Sequence, residues 1–421
     1  MELTPLALLL AQIAAILLAS RAVALVTRRL GQPLVIAEMV AGIALGPSLL
    51  GLVWPSAYGV LFPTSSMPAL KMLSQFGLVL FMFLVGLELD PALLRGRRRA
   101  SVLISNVGIL LPFVLGVGSA WLIHETHAPK GVPFLPFALF LGTALSVTAF
   151  PVLARILSER GLTQSRVGAI ALACAAVDDV SAWCLLAFVA AIARAGALGE
   201  AIWTVGLAAV FSLFMLVVAR PLLRRFGSAV AEQGGLTSTR LVVVFVLLLA
   251  SSGITELIGI HALFGAFLFG VVMPKEDGLA AELAGKLEST AVLLLMPLFF
   301  AYSGLRTHIG LLGGAGEWAV ALGLIAVATL GKFGGGTLAA RVTGLNWREA
   351  GAIGVLMNTR GLMELIVLNV GMDLGVITPT IFTMLVLMAL VTTFATTPLL
   401  RWIYSPMAAA ESARSDRVFV E

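Results

Sequence analysis

Two carboxylates stand side by side in an otherwise apolar stretch, Ala175-Ala-Val-Asp178-Asp179-Val-Ser-Ala-Trp183. An ionisable side chain within a bilayer costs at least about 2.5–3.5 kcal/mol, so each one demands a reason. Adjacent acids cannot both face lipid, nor can both ionise cheaply at such close range. A buried carboxylate that holds either a proton or a cation makes the two compete. That competition is the core of an exchange mechanism. The blander alternative is that the acids cap a broken helix or form a static ion pair.

Three other stretches bear on the same chemistry. Ser146-Val-Thr148-Ala-Phe-Pro151 places a proline inside an apolar run. Pro151 removes a backbone donor and clashes with the preceding turn, which predicts freed carbonyls near residue 147. Those carbonyls, with the Ser146 and Thr148 hydroxyls, suit a weakly held monovalent cation. An ordinary kink with the hydroxyls bonding back to the helix is the alternative. Met357-Asn358-Thr-Arg360-Gly-Leu-Met-Glu364 weakens a second helix. Arg360 and Glu364 stand one turn apart and neutralise each other, a structural or gating role that extends to Asn358 and Pro151.

Lys332, in Thr329-Leu-Gly-Lys-Phe-Gly-Gly-Gly336, also falls inside an apolar run. A buried lysine wants a carboxylate, and Asp178 is the natural partner; snorkelling to the surface is the alternative. Glu38 and Glu88 read as gate or interface residues, and His261 as a hydrogen-bonded histidine within the bundle.

These residues need helices to hold them. Of 421 residues, 60% are apolar and 12% charged, and mean hydropathy is +1.05. A soluble domain carries roughly 25% charged residues. Lipid is therefore the expected solvent. With about 20 apolar residues needed per span, the sequence offers about thirteen spans. Their approximate limits are 5–27, 33–48, 67–89, 101–123, 134–157, 165–194, 200–222, 239–257, 259–273, 287–304, 317–340, 349–371 and 377–401. The second and ninth are short and glycine-rich. The fold class is an all-α membrane protein.

The net charge of +5 does not point to nucleic acid. Lys and Arg cluster between apolar runs, as in cytoplasmic loops. With the N-terminus outside, Arg28, Arg29, the Arg95–Arg99 run, Arg155, Arg160 and Arg166 fall inside with most other cations. Only Lys71, Lys130, Arg194 and Arg306 fall outside. That excess predicts an outer N-terminus, a cytoplasmic C-terminus and a bacterial inner-membrane location, multi-pass. Residues 1–405 form the membrane domain, and 406–421 read as a short cytoplasmic tail. No signal peptide and no soluble domain are expected. Cys174 and Cys184 share one apolar segment and offer neither a disulfide framework nor a metal motif.

Thirteen divides as six, one and six. An odd central span gives the halves opposite topology, the arithmetic of an inverted repeat. The fifth and twelfth spans, both interrupted, would then be counterparts, and interrupted helices at matching places point to a midplane site.

The chain resembles the second family of monovalent cation:proton antiporters from about residue 5 to residue 400. The likeness rests on Ile36-Ala-Glu-Met-Val-Ala-Gly-Ile with Leu45-Gly-Pro47, Phe83-Leu-Val-Gly-Leu-Glu88, Val147-Thr-Ala-Phe-Pro-Val-Leu-Ala-Arg155, Val177-Asp-Asp-Val180, Pro297-Leu-Phe-Phe-Ala-Tyr-Ser-Gly-Leu305 and Asn358-Thr-Arg-Gly-Leu-Met-Glu-Leu. The flanks look most like the plant-type cation/H+ exchanger branch and its bacterial relatives. That resemblance implies thirteen helices with two broken, crossing ones, and a homodimer. It implies a mobile core of helices about 101–194 and 317–401. Dimerisation helices would run over about 5–89 and 239–304, joined by a linker helix near 200–222.

By the same carry-over Asp179 binds cation and proton, Asp178 pairs with Lys332, and Thr148 lines the crossover. The expected function is exchange of sodium or potassium for protons by an elevator-type mechanism, with no cofactor and no enzyme activity. The double acid is usual in electrogenic members, whereas the plant-type branch usually carries Asn-Asp, so stoichiometry and ion choice stay open. Three rivals remain. A sodium-coupled symporter of an organic solute would need a larger polar cavity. An intramembrane aspartyl protease needs its two acids on different helices. A channel fits the deep acids and broken helices less well than coupled exchange does.

Overall fold

A computed structural model describes residues 4–88, 98–163, 165–194, 198–232, 235–275 and 278–404. The arginines at 95 and 97 and the expected tail from 406 lie outside the described residues. Among those described there is helix and no strand. The first segments are α1 (Pro5–Arg29), α2 (Leu34–Leu45, followed by short helices Leu50–Val53 and Pro55–Leu61), α3 (Met67–Glu88) and α4 (Arg98–His127). Next come α5a (Phe134–Ser146), α5b (Phe150–Glu159), α6 (Arg166–Arg194), α7 (Ile202–Val230) and α8 (Ser238–Ile258). The rest are α9 (Ala262–Val272), α10 (Leu279–Leu311), α11 (Ala315–Val342), α12a (Trp347–Met357), α12b (Leu362–Asp373) and α13 (Pro379–Ile403).

Each apolar run read from the sequence has its segment. Among the described residues twelve are long and apolar enough to cross a membrane, and the thirteenth, α9, is the short one. Its 11 residues end at Met273-Pro274, where the proline ring disfavours helix in the residue before it. The largest shifts of boundary are in α10, which starts at Leu279 rather than near 287, and in α7, which ends at Val230 rather than near 222.

The broken helices differ from a simple kink. α5a stops at Ser146, Val147 is extended (φ −70°, ψ 140°), and α5b begins at Phe150 after an extended Ala149. Pro151 was expected to disrupt the fifth span from within. It stands instead in the first turn of α5b, where a helix needs no N–H and the ring's fixed φ suits the start. α12a likewise ends at Met357, and α12b begins at Leu362. The two breaks meet. Ala149 N donates to Thr359 O at 3.1 Å, and a Cβ on Gly361 would lie 2.8 Å from Val152 Cγ2.

The chain forms two compact units. One gathers residues 1–19, 53–90 and 186–302. There α3 lies against α9 through Gly86 and Gly270, and Ser251 Oγ of α8 donates to Gly265 O of α9 at 2.7 Å. The other gathers 20–52, 91–185 and 303–421. In it α4 approaches α5a through Gly116 and Gly142, while α11 approaches α12a at Gly354, beneath Phe333 O and Thr337. Close backbone approach between helices at small residues is how membrane bundles pack. The parallel between α4 with α5a and α11 with α12a is the inverted repeat at the level of packing.

Gly354 tests that packing. A Cβ there would sit 2.6 Å from Phe333 O and closer still to Thr337 Oγ1. Gly354→Ala is expected to destabilise by about 1–3 kcal/mol, the usual cost of overpacking. Gly253→Ala, with nothing within 4 Å, should leave stability unchanged or raise it by up to about 1 kcal/mol. Thermal melting of the detergent-solubilised protein measures both.

Candidate ion-binding site

The crossing of α5 and α12 leaves unwound backbone in the middle of the second unit, and α4, α6 and α11 bring side chains to it. α6 passes the break as an unbroken helix carrying Asp178 and Asp179, 1% and 0% exposed. α11 contributes Lys332, also 0% exposed. Lys332 sits in a π-helical turn, Leu330–Gly334. Such widened turns are rare and gather at functional sites. The turn is packed tightly, since a Cβ on Gly331 would lie 2.8 Å from Pro112 of α4. Full burial removes the snorkelling alternative for Lys332.

Asp178 is held on every side. Its Oδ2 accepts from Lys332 Nζ at 2.9 Å and lies 2.7 Å from Thr148 Oγ1. Its Oδ1 accepts from Ser105 Oγ of α4 at 2.5 Å. Thr148 Oγ1 in turn accepts from Lys332 Nζ at 2.6 Å. The single Thr148 hydroxyl proton lies between Asp178 Oδ2 and Met357 O, the latter at 3.1 Å. One threonine thus bridges both breaks, the lysine and the acid.

Asp179 is held loosely. Its Oδ1 accepts one long bond, 3.4 Å, from Phe150 N at the start of α5b. The N-terminal end of a helix carries partial positive charge and favours an anion there. Its Oδ2 is buried and has no hydrogen-bond partner among the described residues. Buried carboxylate oxygens are nearly always paired. A proton or a cation would satisfy this one.

Arg360 fills the opposite side of the crossing. Its guanidinium donates to Ala144 O at 2.7 Å and Leu145 O at 2.6 Å, and pairs with Glu364 at 2.6 Å. Those carbonyls belong to the last turn of α5a and lost their helical donors when it stopped. A cation at that helix end also complements its negative pole.

The remaining residues singled out in the sequence are placed as follows. Ser146 Oγ donates to Thr143 O at 2.9 Å, back along its own helix. Asn358 caps α12a, and its Oδ1 has no partner among the described residues. Glu38 is buried in α2 and is faced by Arg21 and Arg155. His261 begins α9, its Nδ1 3.5 Å from Leu263 N. Sequence reasoning missed Ser105, an unremarkable serine in an apolar run, and Thr393, whose hydroxyl bonds Arg360.

A helical multi-span bundle with a buried acid at two crossed helix breaks has the architecture of an ion-coupled secondary transporter. Residues 13–403 match the family described as sodium/hydrogen exchanger, transmembrane, and the chain belongs to that family. It is 45% identical over 405 residues to the Na(+)/H(+) antiporter NhaS4 of Synechocystis sp., covering 96% of this chain and 99% of that protein. It is 42% identical over 400 residues to cation/H(+) antiporter 17 of Arabidopsis thaliana, covering 95% of this chain and 48% of that one. The K(+)/H(+) antiporter 1 of Saccharomyces cerevisiae is 35% identical over 412 residues, with 95% and 47% covered. The chain thus spans about half the length of the plant and yeast relatives and nearly all of the cyanobacterial one. Among solved structures, the fold superposes on the sodium proton antiporter MjNhaP1 of Methanocaldococcus jannaschii. The TM-score is 0.67 at 15% identity, over 97% of this chain and 99% of that one. The protein is therefore a multi-pass cation/proton antiporter, and the organic-solute symporter is not favoured.

The buried Lys332–Asp178 pair yields a measurable coupling. Removing either partner alone leaves an uncompensated buried charge and should cost about 3–5 kcal/mol. Lys332→Met with Asp178→Asn together should cost clearly less than the two single losses added. Melting temperatures of the four proteins in one detergent give the cycle.

Proposed function

We propose that Asp179 is the exchanging carboxylate, taking up sodium or potassium on one side of the membrane and a proton on the other. The observation that carries this reading is the buried, unpartnered Oδ2 of Asp179, beside the start of α5b and next to an acid already committed to Lys332. Thr148 and the unwound carbonyls supply the further oxygens a monovalent cation needs. Asp178 and Lys332 form its fixed counterpart.

Coupling then follows from charge. An ionised Asp179 is costly to carry past an apolar barrier, and either ligand neutralises it. The loaded states move and the empty charged state does not, so flux in one direction requires flux in the other. The moving part is an elevator core of helices about 101–194 and 317–401, working against scaffold helices of about 5–89 and 239–304, with about 200–222 as linker. In support, Asp178, Asp179, Thr148, Ser105 and Lys332 all lie in one contact unit, which allows the site to travel intact. The N-terminus faces outward and the C-terminus the cytoplasm of a bacterial inner membrane, on the strength of the arginine distribution. The protein works as a homodimer, in keeping with its family resemblance.

Everted vesicles carrying a pH-sensitive dye test the reading, with sodium, potassium and lithium added in turn. Cation-dependent proton release is expected from the native protein and none from Asp179→Asn. Release that persists in Asp179→Asn removes Asp179 from its role. Because proton and cation compete for one carboxylate, the apparent KM for the cation should rise as pH falls, by up to about tenfold per pH unit where the proton dominates. Vmax at saturating cation should change much less. A KM that is flat from pH 6 to pH 9 would contradict competition.

A further inference from the structure

In the second half of the repeat the unbroken helix that meets the break carries no acid. In the first half, α5 is the broken helix and α6 meets the break, where Asp179 Oδ1 accepts from Phe150 N, 29 residues earlier in the chain. In the second half, α12 is the broken helix and α13 meets the break. There Thr393 Oγ1 accepts from Arg360 N at 3.0 Å and donates to Arg360 O at 2.8 Å, 33 residues earlier. Thr392-Thr393 therefore holds the place in the second half that Asp178-Asp179 holds in the first.

Arg360 lies in the unwound turn and is 1% exposed. Its N–H and C=O have both lost helical partners, and buried backbone groups are almost always paired. Thr393 satisfies both with one hydroxyl, which fixes the rotation of the backbone at that residue. Three consequences run from there toward the cation site. The guanidinium of Arg360 is aimed at Ala144 O and Leu145 O. The carbonyl of the preceding residue, Thr359, is aimed at Ala149 N. Ala149 directly precedes Phe150, whose N–H is the one donor to Asp179 among the described residues.

We infer that Thr393 is a positioning residue for cation binding, acting through the second crossover and touching neither the cation nor Asp179. The inference rests on Asp179 being the exchanging carboxylate. Thr393→Val keeps the branched shape and removes the hydroxyl; Thr393→Ser keeps the hydroxyl and removes a methyl. Both are reconstituted at equal amounts of monodisperse protein, beside native protein and Asp179→Asn.

Thr393→Val is expected to raise the cation KM about tenfold, the scale on which small misplacements act at a site. Its Vmax should stay within about twofold, and Thr393→Ser should stay within about twofold of native in both. A native KM in Thr393→Val overturns the inference, whether or not its folded yield falls. So does a KM in Thr393→Ser raised as far as in Thr393→Val. Should Thr393→Val not fold, Thr393→Cys replaces it. Its weaker hydrogen bonding predicts a KM several-fold above that of Thr393→Ser, and equal values overturn the inference. Exchange that persists in Asp179→Asn would instead sink the role of Asp179, which separates the two failures.

Discussion

Unwound backbone at membrane depth is tolerated only where every freed donor and acceptor finds a partner inside the protein. Everything at this site follows from how that demand is met. Two helices break at one level and cross, and the ends created are satisfied by different means. The carbonyls at the end of α5a receive the guanidinium of Arg360. The backbone at the α12 break receives the hydroxyl of Thr393. The first N–H of α5b receives a carboxylate oxygen of Asp179. Only the last of these uses a carboxylate with no cation of its own.

Charge accounting sharpens the point. Within the buried cluster, Lys332 pairs with Asp178 and Arg360 pairs with Glu364. Each pair is fully buried, and each is further hydrogen-bonded, which offsets part of the desolvation cost. The pairs cancel and leave Asp179 as the acid with no cation of its own. An uncompensated buried carboxylate is unstable unless something neutralises it. A proton or a small cation would supply that neutralisation beside the start of α5b. The fixed pairs set the field, and in the proposed reading Asp179 is the group that answers to the ligand.

Much of this could be read from the sequence, and the reasons are physical. Spans are legible because a bilayer needs long apolar runs, and this chain supplies them with charged loops between. Lys332 is legible as a cation in need of an acid because apolar residues surround it in the sequence; the structure sets it 2.9 Å from Asp178. The exact use of Pro151 was not legible. Proline marks a discontinuity, but whether it bends one helix or starts another depends on residues 147–149 leaving the helix, with Val147 and Ala149 extended. Ser105 and Thr393 were invisible for a different reason. A serine or threonine within an apolar helix usually bonds to its own backbone, as Ser146 and Thr392 do here. Which ones turn to a neighbour depends on helix rotation, and that is set by glycine contacts such as Gly331 with Pro112.

The two halves also show how one architecture yields a single site. Both have a broken helix met by an unbroken one, and both place oxygens of the unbroken helix against the break. Where the oxygens belong to adjacent carboxylates, repulsion and burial leave one of them short of partners, and it can respond to an ion. Where they belong to threonines, a neutral hydroxyl both donates and accepts, satisfies the backbone completely and responds to nothing. A second acid in place of Thr393 would give α13 another buried charge beside the Arg360–Glu364 pair, with its cation already engaged by carbonyls. The hydroxyl avoids that cost. In the proposed reading, the asymmetry between acid and threonine assigns holding to one crossover and exchange to the other.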